Sequence, residues 1–247
     1  TAINLSAALA LRGHKTLLID LDPQANSTIT FVDVQAKEIT KSVYDAIDDS
    51  DCSLADTILE STQENLFVAP SKISLAKIEA KLVGEMDSHF RLKDRIAPLR
   101  KKYKYIVIDC PPALGLLTIN GLVAADSVII PMQCEYFSLQ GLSHLLKTLK
   151  LVKKSLNPDL SVEGILLTMF DGRTLLACQV KEQVSKYFKG YLLETVIPRN
   201  IRLSEAPSHG RPVMLYAEGC KGANSYEKLA DEILSRSKIS KDDEAAA

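Results

Sequence analysis

The sequence lacks the marks of several common classes. Its five cysteines, Cys52, Cys110, Cys134, Cys178 and Cys220, form no CxxC pair. An odd count at wide spacing argues against a disulfide framework or a zinc site, and scattered thiols suggest a reducing compartment. The four histidines are isolated, which offers no metal cluster. No stretch reads as membrane-spanning. The longest apolar run, 105–125, carries Asp109, Pro111, Pro112 and Asn120, which a lipid-facing helix does not tolerate. No signal-peptide pattern is read at the amino end. The net charge is −1, which argues against a dedicated nucleic-acid protein. Neither GxxxxGK[ST] nor GxGxxG occurs, so the chain writes no complete phosphate loop.

What is present is an ordinary globular composition, 46% hydrophobic and 25% charged over 247 residues. A chain of this size buries about three quarters of its unfolded surface without staples. Residues 1–12, TAINLSAALALR, are apolar at helical spacing, with Gly13 at the C′ position. KTLLID, YIVID, SVIIPM and VEGILLT read as buried strands. NLFVAP reads as a strand stopped by Pro70 and LETVIP as an edge strand. SVYDAIDD and SLADTILES read as short helices. Residues 71–100 are mostly helical, with a basic end at RKKYK that fits a solvated helix terminus. Further helices are expected after Pro112 and over 138–155, 174–188 and 223–238. Apolar strands alternating with helices imply an α/β fold, a doubly wound, mostly parallel sheet flanked by helices. A single domain over 1–238 and a disordered tail over 239–247 are expected.

Two strands end on aspartate. In LLIDLDPQANST, Asp20 and Asp22 flank Leu21 and point to one side if the chain stays extended. In YIVIDCPP, Asp109 ends a second strand. Ligands of doubly wound sheets collect beyond the carboxyl strand ends. Three carboxylates gathered there repel unless a cation joins them, and Mg²⁺ with nucleotide phosphates would serve. Singly, each aspartate is equally well an N-cap or turn residue, and Pro23, Pro111 and Pro112 fit ordinary turns. The chain also opens on a helix at Thr1, not Met, with no strand before it. In a nucleotide-binding βα unit the phosphate loop lies between the first strand and the first helix. The expectation is therefore a longer protein whose first strand and phosphate loop precede Thr1.

LLIDLDPQANST, YIVIDCPPALGLLTINGLVAADSVIIPMQCEYFSLQGL, GILLTMFDGRT and VIPRNIRLSEAPSHGRPV, in this order over nearly the whole chain, resemble the ParA/Soj chromosome- and plasmid-partitioning ATPases. These are deviant Walker-A P-loop ATPases of the SIMIBI class, whose phosphate loop reads KGGxGK[ST]T. The resemblance implies the cofactors ATP and Mg²⁺. It gives Asp22 the catalytic role of orienting the attacking water. It places Asp20 in the Mg²⁺ shell and Asp109, the Walker B aspartate, on Mg²⁺ through water. Pro198 and Asn200 match the adenine-contacting turn, and Glu205 lies near the nucleotide and dimer face. An ATP-dependent homodimer is implied, together with non-specific double-stranded DNA as ligand. A ParB/Spo0J-like centromere-binding partner is expected to stimulate hydrolysis, and the location is expected to be cytoplasmic and nucleoid-associated.

Charge alone supports DNA binding only modestly. From Asp171 to Gly222 eight Lys/Arg face five acids, and such a surplus is by default a solvated face. The resemblance makes Arg199 and Arg173 the DNA contacts. Three other readings stay open. One is a MinD-like ATPase acting on a membrane, against which stand Asp231, Glu232 and the acidic tip. Another is a non-catalytic adaptor with a degenerate nucleotide site. The third is a metabolic P-loop ligase, against which the DPQ and PRNIRLSEAPSHGRP stretches argue. A helix-turn-helix domain upstream also stays open, although nothing within 1–247 resembles one.

Overall fold

The computed structural model describes residues 1–32 and 38–245, with side chains described through residue 237. Its strands are β1 (Thr16–Asp20), β2 (Leu59–Glu60), β3 (Leu66–Ala69), β4 (Tyr105–Asp109), β5 (Ser127–Gln133) and β6 (Ser161–Thr168). The first helices are α1 (Ala2–Leu11), α2 (Asn26–Phe31), α3 (Val43–Asp48), α4 (Ile78–Lys81), α5 (Arg91–Ile96) and α6 (Leu116–Ala124). They are followed by α7 (Ser138–Ser155), α8 (Leu175–Tyr187), α9 (Ile201–Glu205), α10 (Val213–Tyr216) and α11 (Lys221–Ala245).

Every residue of β1 is buried, as its unbroken apolar run requires. It pairs in parallel with β3 on one edge and β4 on the other. The strand order is β2-β3-β1-β4, with β2 antiparallel at the rim. Leu17 and Ile19 face a core shared with α3, α5 and α6, whereas Leu18 faces α1 and α11. This alternation is the doubly wound arrangement, with helices on both faces. A parallel pair, β5 and β6, builds a second sheet covered by α7 and α8. Among the described residues β4 pairs only with β1, and β5 only with β6. The exposure follows the pairing: β4 is half-buried throughout while β1 is sealed.

Local chemistry accounts for the boundaries. α1 stops where Gly13, at φ 79°, donates its N–H to the Ala10 carbonyl. Asn120, a polar residue inside apolar α6, is buried but satisfied. Its amide donates to the Ser88 and Leu116 carbonyls, and its oxygen accepts from Leu92 N–H.

Three elements differ from expectation. SLADTILES is a 3₁₀ turn over Leu54–Thr57 followed by β2, because Leu59 and Glu60 find ladder partners in Val68 and Phe67. LETVIP is held to β6 by bonds at Leu193 and Ile197 but is no continuous strand. Its next two N–H groups, on Glu194 and Thr195, are both taken by the Glu232 carboxylate, each at 2.9 Å. α11 runs to Ala245, into the stretch expected as a tail, and residues 246–247 lie outside the described residues.

Candidate functional site

Parallel pairing sets Asp20 directly beside Asp109 at the carboxyl edge. The chain leaves β1 with Leu21 N–H donating to the Asp109 carbonyl at 2.8 Å. It then turns tightly. The Asp22 carboxylate accepts Gln24 N–H at 2.9 Å, and its carbonyl accepts Ala25 N–H. Ala25 takes φ 55°, a left-handed conformation that costs a non-glycine residue roughly 1 kcal/mol or more. α2 begins immediately afterwards.

α2 holds both strand-end carboxylates. Asp20 is fully buried and accepts three donors. Thr28 gives its N–H at 2.8 Å and its hydroxyl at 2.7 Å, and Asp22 gives its N–H at 3.1 Å. Ser27 Oγ donates to Asp109 Oδ2 at 2.5 Å. Thr28 Oγ1 in turn accepts Ser71 N–H at 2.9 Å, which ties the clamp to the end of β3. Burial raises the Asp20 pKa to about 6, with the Thr28 bonds opposing it and the nearby Asp109 charge adding to it. Burial also raises Asp109, against the Ser27 bond. Two neighbouring acids, one buried and one half-buried, whose ionised forms are disfavoured make a place that a cation would complete.

The donor set fits Mg²⁺. It is oxygen only, and Asp109 Oδ1 has no hydrogen-bond donor among the described residues. No group of three or more His, Cys, Asp or Glu among the described residues closes around an ion. The remaining ligands would be waters and phosphate oxygens, the usual company of Mg²⁺. Asp22 differs from its neighbours: it is partly exposed, and one of its oxygens is free of backbone donors.

A second group forms around the end of β6. Phe170 and Pro198 make a bridge, with Arg199 N–H donating to the Phe170 carbonyl at 3.0 Å. Asn200 caps α9, its side-chain oxygen accepting Arg202 N–H at 2.9 Å. Glu205 accepts from Arg202 at 2.8 Å and from the Tyr216 hydroxyl at 3.1 Å. The following turn, Ala206–His209, packs against α2. Arg173 projects into solvent but grips Asp171 through two bonds, at 2.8 and 2.7 Å. That grip, with Arg199 nearby, lowers the Asp171 pKa to about 2.

The structure thus brings together Asp20 with Asp109, and Arg173 with Arg199. No hydrogen bond among the described residues joins Pro198, Asn200 or Glu205 to the aspartates. Sequence reasoning missed Ser27, Thr28 and Ser71. The available signal was the run of small hydroxyl residues just inside a helix that follows an Asp-Pro turn.

A parallel, doubly wound sheet with aspartates gathered at its carboxyl edge defines the class: a P-loop NTPase fold. Comparison with known proteins narrows it. A family described as AAA domain matches residues 1–162. The sporulation initiation inhibitor protein Soj of Bacillus subtilis is 51% identical over 94% of this chain and 91% of its own length. The chromosome partitioning protein ParA of Myxococcus xanthus is 48% identical over 96% of this chain and 83% of its own. Among solved structures, cobyrinic acid a,c-diamide synthase from Mycobacterium smegmatis with bound ATP analog and magnesium superposes with a TM-score of 0.82. That match is 32% identical and covers 96% of this chain and 88% of that one. The chain belongs to the ParA/Soj family of partitioning ATPases.

Proposed function

We propose that this protein is a nucleotide-switched ATPase that partitions a chromosome or plasmid. The observation that carries this reading is the division of labour at the carboxyl edge. Asp20 is buried, Asp109 is half-buried, and both are held by side chains of one helix, whereas half-buried Asp22, two residues on, accepts only the Gln24 N–H of its own turn. A general base or water-positioning group has to reach a water, and of the three only Asp22 has a carboxylate that no side chain of α2 holds.

In this reading Asp20 and Asp109 hold Mg²⁺ through its waters. The ion supplies neutralisation of charge on the phosphates. Asp22 orients the attacking water. The Asn200 oxygen is committed to Arg202, so its amide N–H₂ is the group left to donate to a base, beside the Pro198 backbone. Glu205, tied to Arg202 and Tyr216, braces that turn against α2. A further parallel strand between the open edges of β4 and β5, carrying the phosphate loop, would join the two sheets. Among the described residues neither edge has a further strand partner, which supports that expectation.

Slow turnover suits a timing device. ATP holds a dimer on double-stranded DNA without sequence preference, and a ParB/Spo0J-like partner stimulates hydrolysis and release. Arg199 contacts DNA more freely than Arg173, whose charge is engaged by Asp171. The protein then works in the cytoplasm on the nucleoid and not on a membrane. Liposome flotation in ATP separates this from the membrane-acting alternative, since flotation would support that rival.

The deciding experiment is Asp22→Ala in the full-length protein. ATP-dependent dimers should persist while hydrolysis disappears. Hydrolysis within threefold of wild type would remove Asp22 from this role.

A further inference from the structure

RKKYK, read from sequence as a solvated helix end, follows the 3₁₀ turn Ala97–Leu99 with Lys101, Lys102 and Lys104 exposed, and it is also tied to neighbouring turns. Arg100 donates both to the Asp126 carboxylate at 2.9 Å and to the Ala124 carbonyl at 3.0 Å, which pins the turn to the start of β5. From the other side, Asn157, just beyond α7, donates to the Leu122 and Ala125 carbonyls at 3.0 and 2.8 Å. Ser161 N–H donates to the Asp126 carbonyl, and Lys104 N–H to the Lys15 carbonyl. Three turns and Lys15 therefore meet along the amino-terminal edge of β1, β4, β5 and β6.

That edge is strongly cationic. Lys15, Arg100, Lys101, Lys102, Lys104, Lys153 and Lys154 stand there against Glu64, Asp126 and Asp159. Asp126 is paired with Arg100. Lys101, Lys102, Lys104 and Lys154 are exposed and make no ion pair among the described residues. α7 adds to this: it has four lysines and no acid over 18 residues. The helix dipole accounts for Lys153 and Lys154 in the last turn but not for Lys147 and Lys150. By contrast, two of the acids in the Asp171–Gly222 stretch already neutralise the arginines beside them. At the amino edge, opposite the aspartates, four exposed lysines within two turns stand without an ion pair among the described residues.

We propose that this amino-edge surface, built from the Arg100–Lys104 turn, Lys15 and the carboxyl end of α7, binds the phosphate backbone of duplex DNA. The proposal rests on the DNA-binding reading above and gives it a second contact surface. Lysines are point charges that neutralise phosphates without reading bases, so the contact is sequence-blind. Of the large apolar side chains near this surface, Leu11 and Leu151 are the well-exposed ones among the described residues, which gives a bilayer little to bury.

The test uses the full-length protein with ATP and a fluorescent random duplex, titrated at several salt concentrations. Lys101→Glu/Lys102→Glu/Lys154→Glu should weaken binding at least tenfold and lower the slope of log affinity on log salt by about 2–3. Its melting temperature and basal ATP hydrolysis should stay near wild type. Arg199→Glu is the parallel arm. If Arg199→Glu abolishes duplex binding and the triple variant changes neither affinity nor slope, the amino-edge surface is overturned and the DNA reading stands. If wild type ignores duplex DNA, both fall. If wild type binds phosphatidylglycerol vesicles, the triple variant loses them and duplex binding is untouched, the surface serves a membrane and the proposal is wrong.

Discussion

At one edge of the sheet, buried Asp20 and half-buried Asp109 sit beside each other, gripped by Thr28 and Ser27. At the other edge, Lys101, Lys102 and Lys154 stand in solvent with no ion pair among the described residues. Buried charge in a fixed setting is expensive unless a specific counter-ion completes it. Exposed, mobile charge costs little and suits a polymer met in many registers. On the proposed reading the fold separates a small, geometrically demanding ligand from a large, undemanding one at opposite strand ends.

The largest expected effect breaks the contrast within the acidic edge. Asp22→Ala should lower the hydrolysis rate by a hundredfold or more, about 2.7 kcal/mol of barrier, with nucleotide binding kept. Asp109→Asn should instead weaken binding of nucleotide in the presence of Mg²⁺ while leaving metal-free binding near wild type. If the two variants behave alike in both assays, the division between exposed and buried aspartates does not hold.

A middling effect follows from pH. The folded-state pKa of Asp20, about 6, lies above its ordinary 3.8. The folded protein keeps a proton that the unfolded chain gives up in that interval. The contribution is full below 3.8 and is lost as pH rises through about 6. A shift of this size is worth about 3 kcal/mol, so the metal-free protein should melt several degrees lower at pH 8 than the rest of its titration implies. Asp20→Asn should flatten that dependence, since its amide oxygen can still accept from Thr28. An unchanged pH profile of melting would mean that Asp20 is solvated.

Thr28→Val tests the clamp with its shape retained. Removing the hydroxyl should cost about 1–3 kcal/mol, because it strips a donor from Asp20 and an acceptor from Ser71 N–H. Thr28→Ser should restore most of it. Thermal melts of both variants measure this, and an equal loss in Thr28→Ser would assign the effect to packing. The smallest effect is expected for Arg173→Ala. Its charge is already engaged by Asp171, so duplex affinity should fall less than threefold, against a much larger loss for Arg199→Glu.

Much of the fold was legible because its signal is periodic and local. Unbroken apolar strands such as YIVID, the Gly13 stop and the 138–155 helix are dictated by burial and by backbone conformation, and they fall where expected. β2 was not legible, because a two-residue strand exists only through its pairing with β3. Asp20 and Asp109 could be placed at one edge from sequence, but their burial could not. Burial comes from α2, whose Ser27 and Thr28 reach across more than one strand end. The cationic edge escaped for the same reason. RKKYK and KK at the end of α7 are fifty residues apart in the chain, and only the Asp126 and Asn157 bonds bring their turns together.

The most direct test is calorimetry on the full-length protein, titrating ATP with and without Mg²⁺. If the paired carboxylates await a cation, Mg²⁺ should tighten ATP binding at least tenfold, and that gain should vanish in Asp109→Asn. Equal affinity with Mg²⁺ and with a chelator would contradict the account.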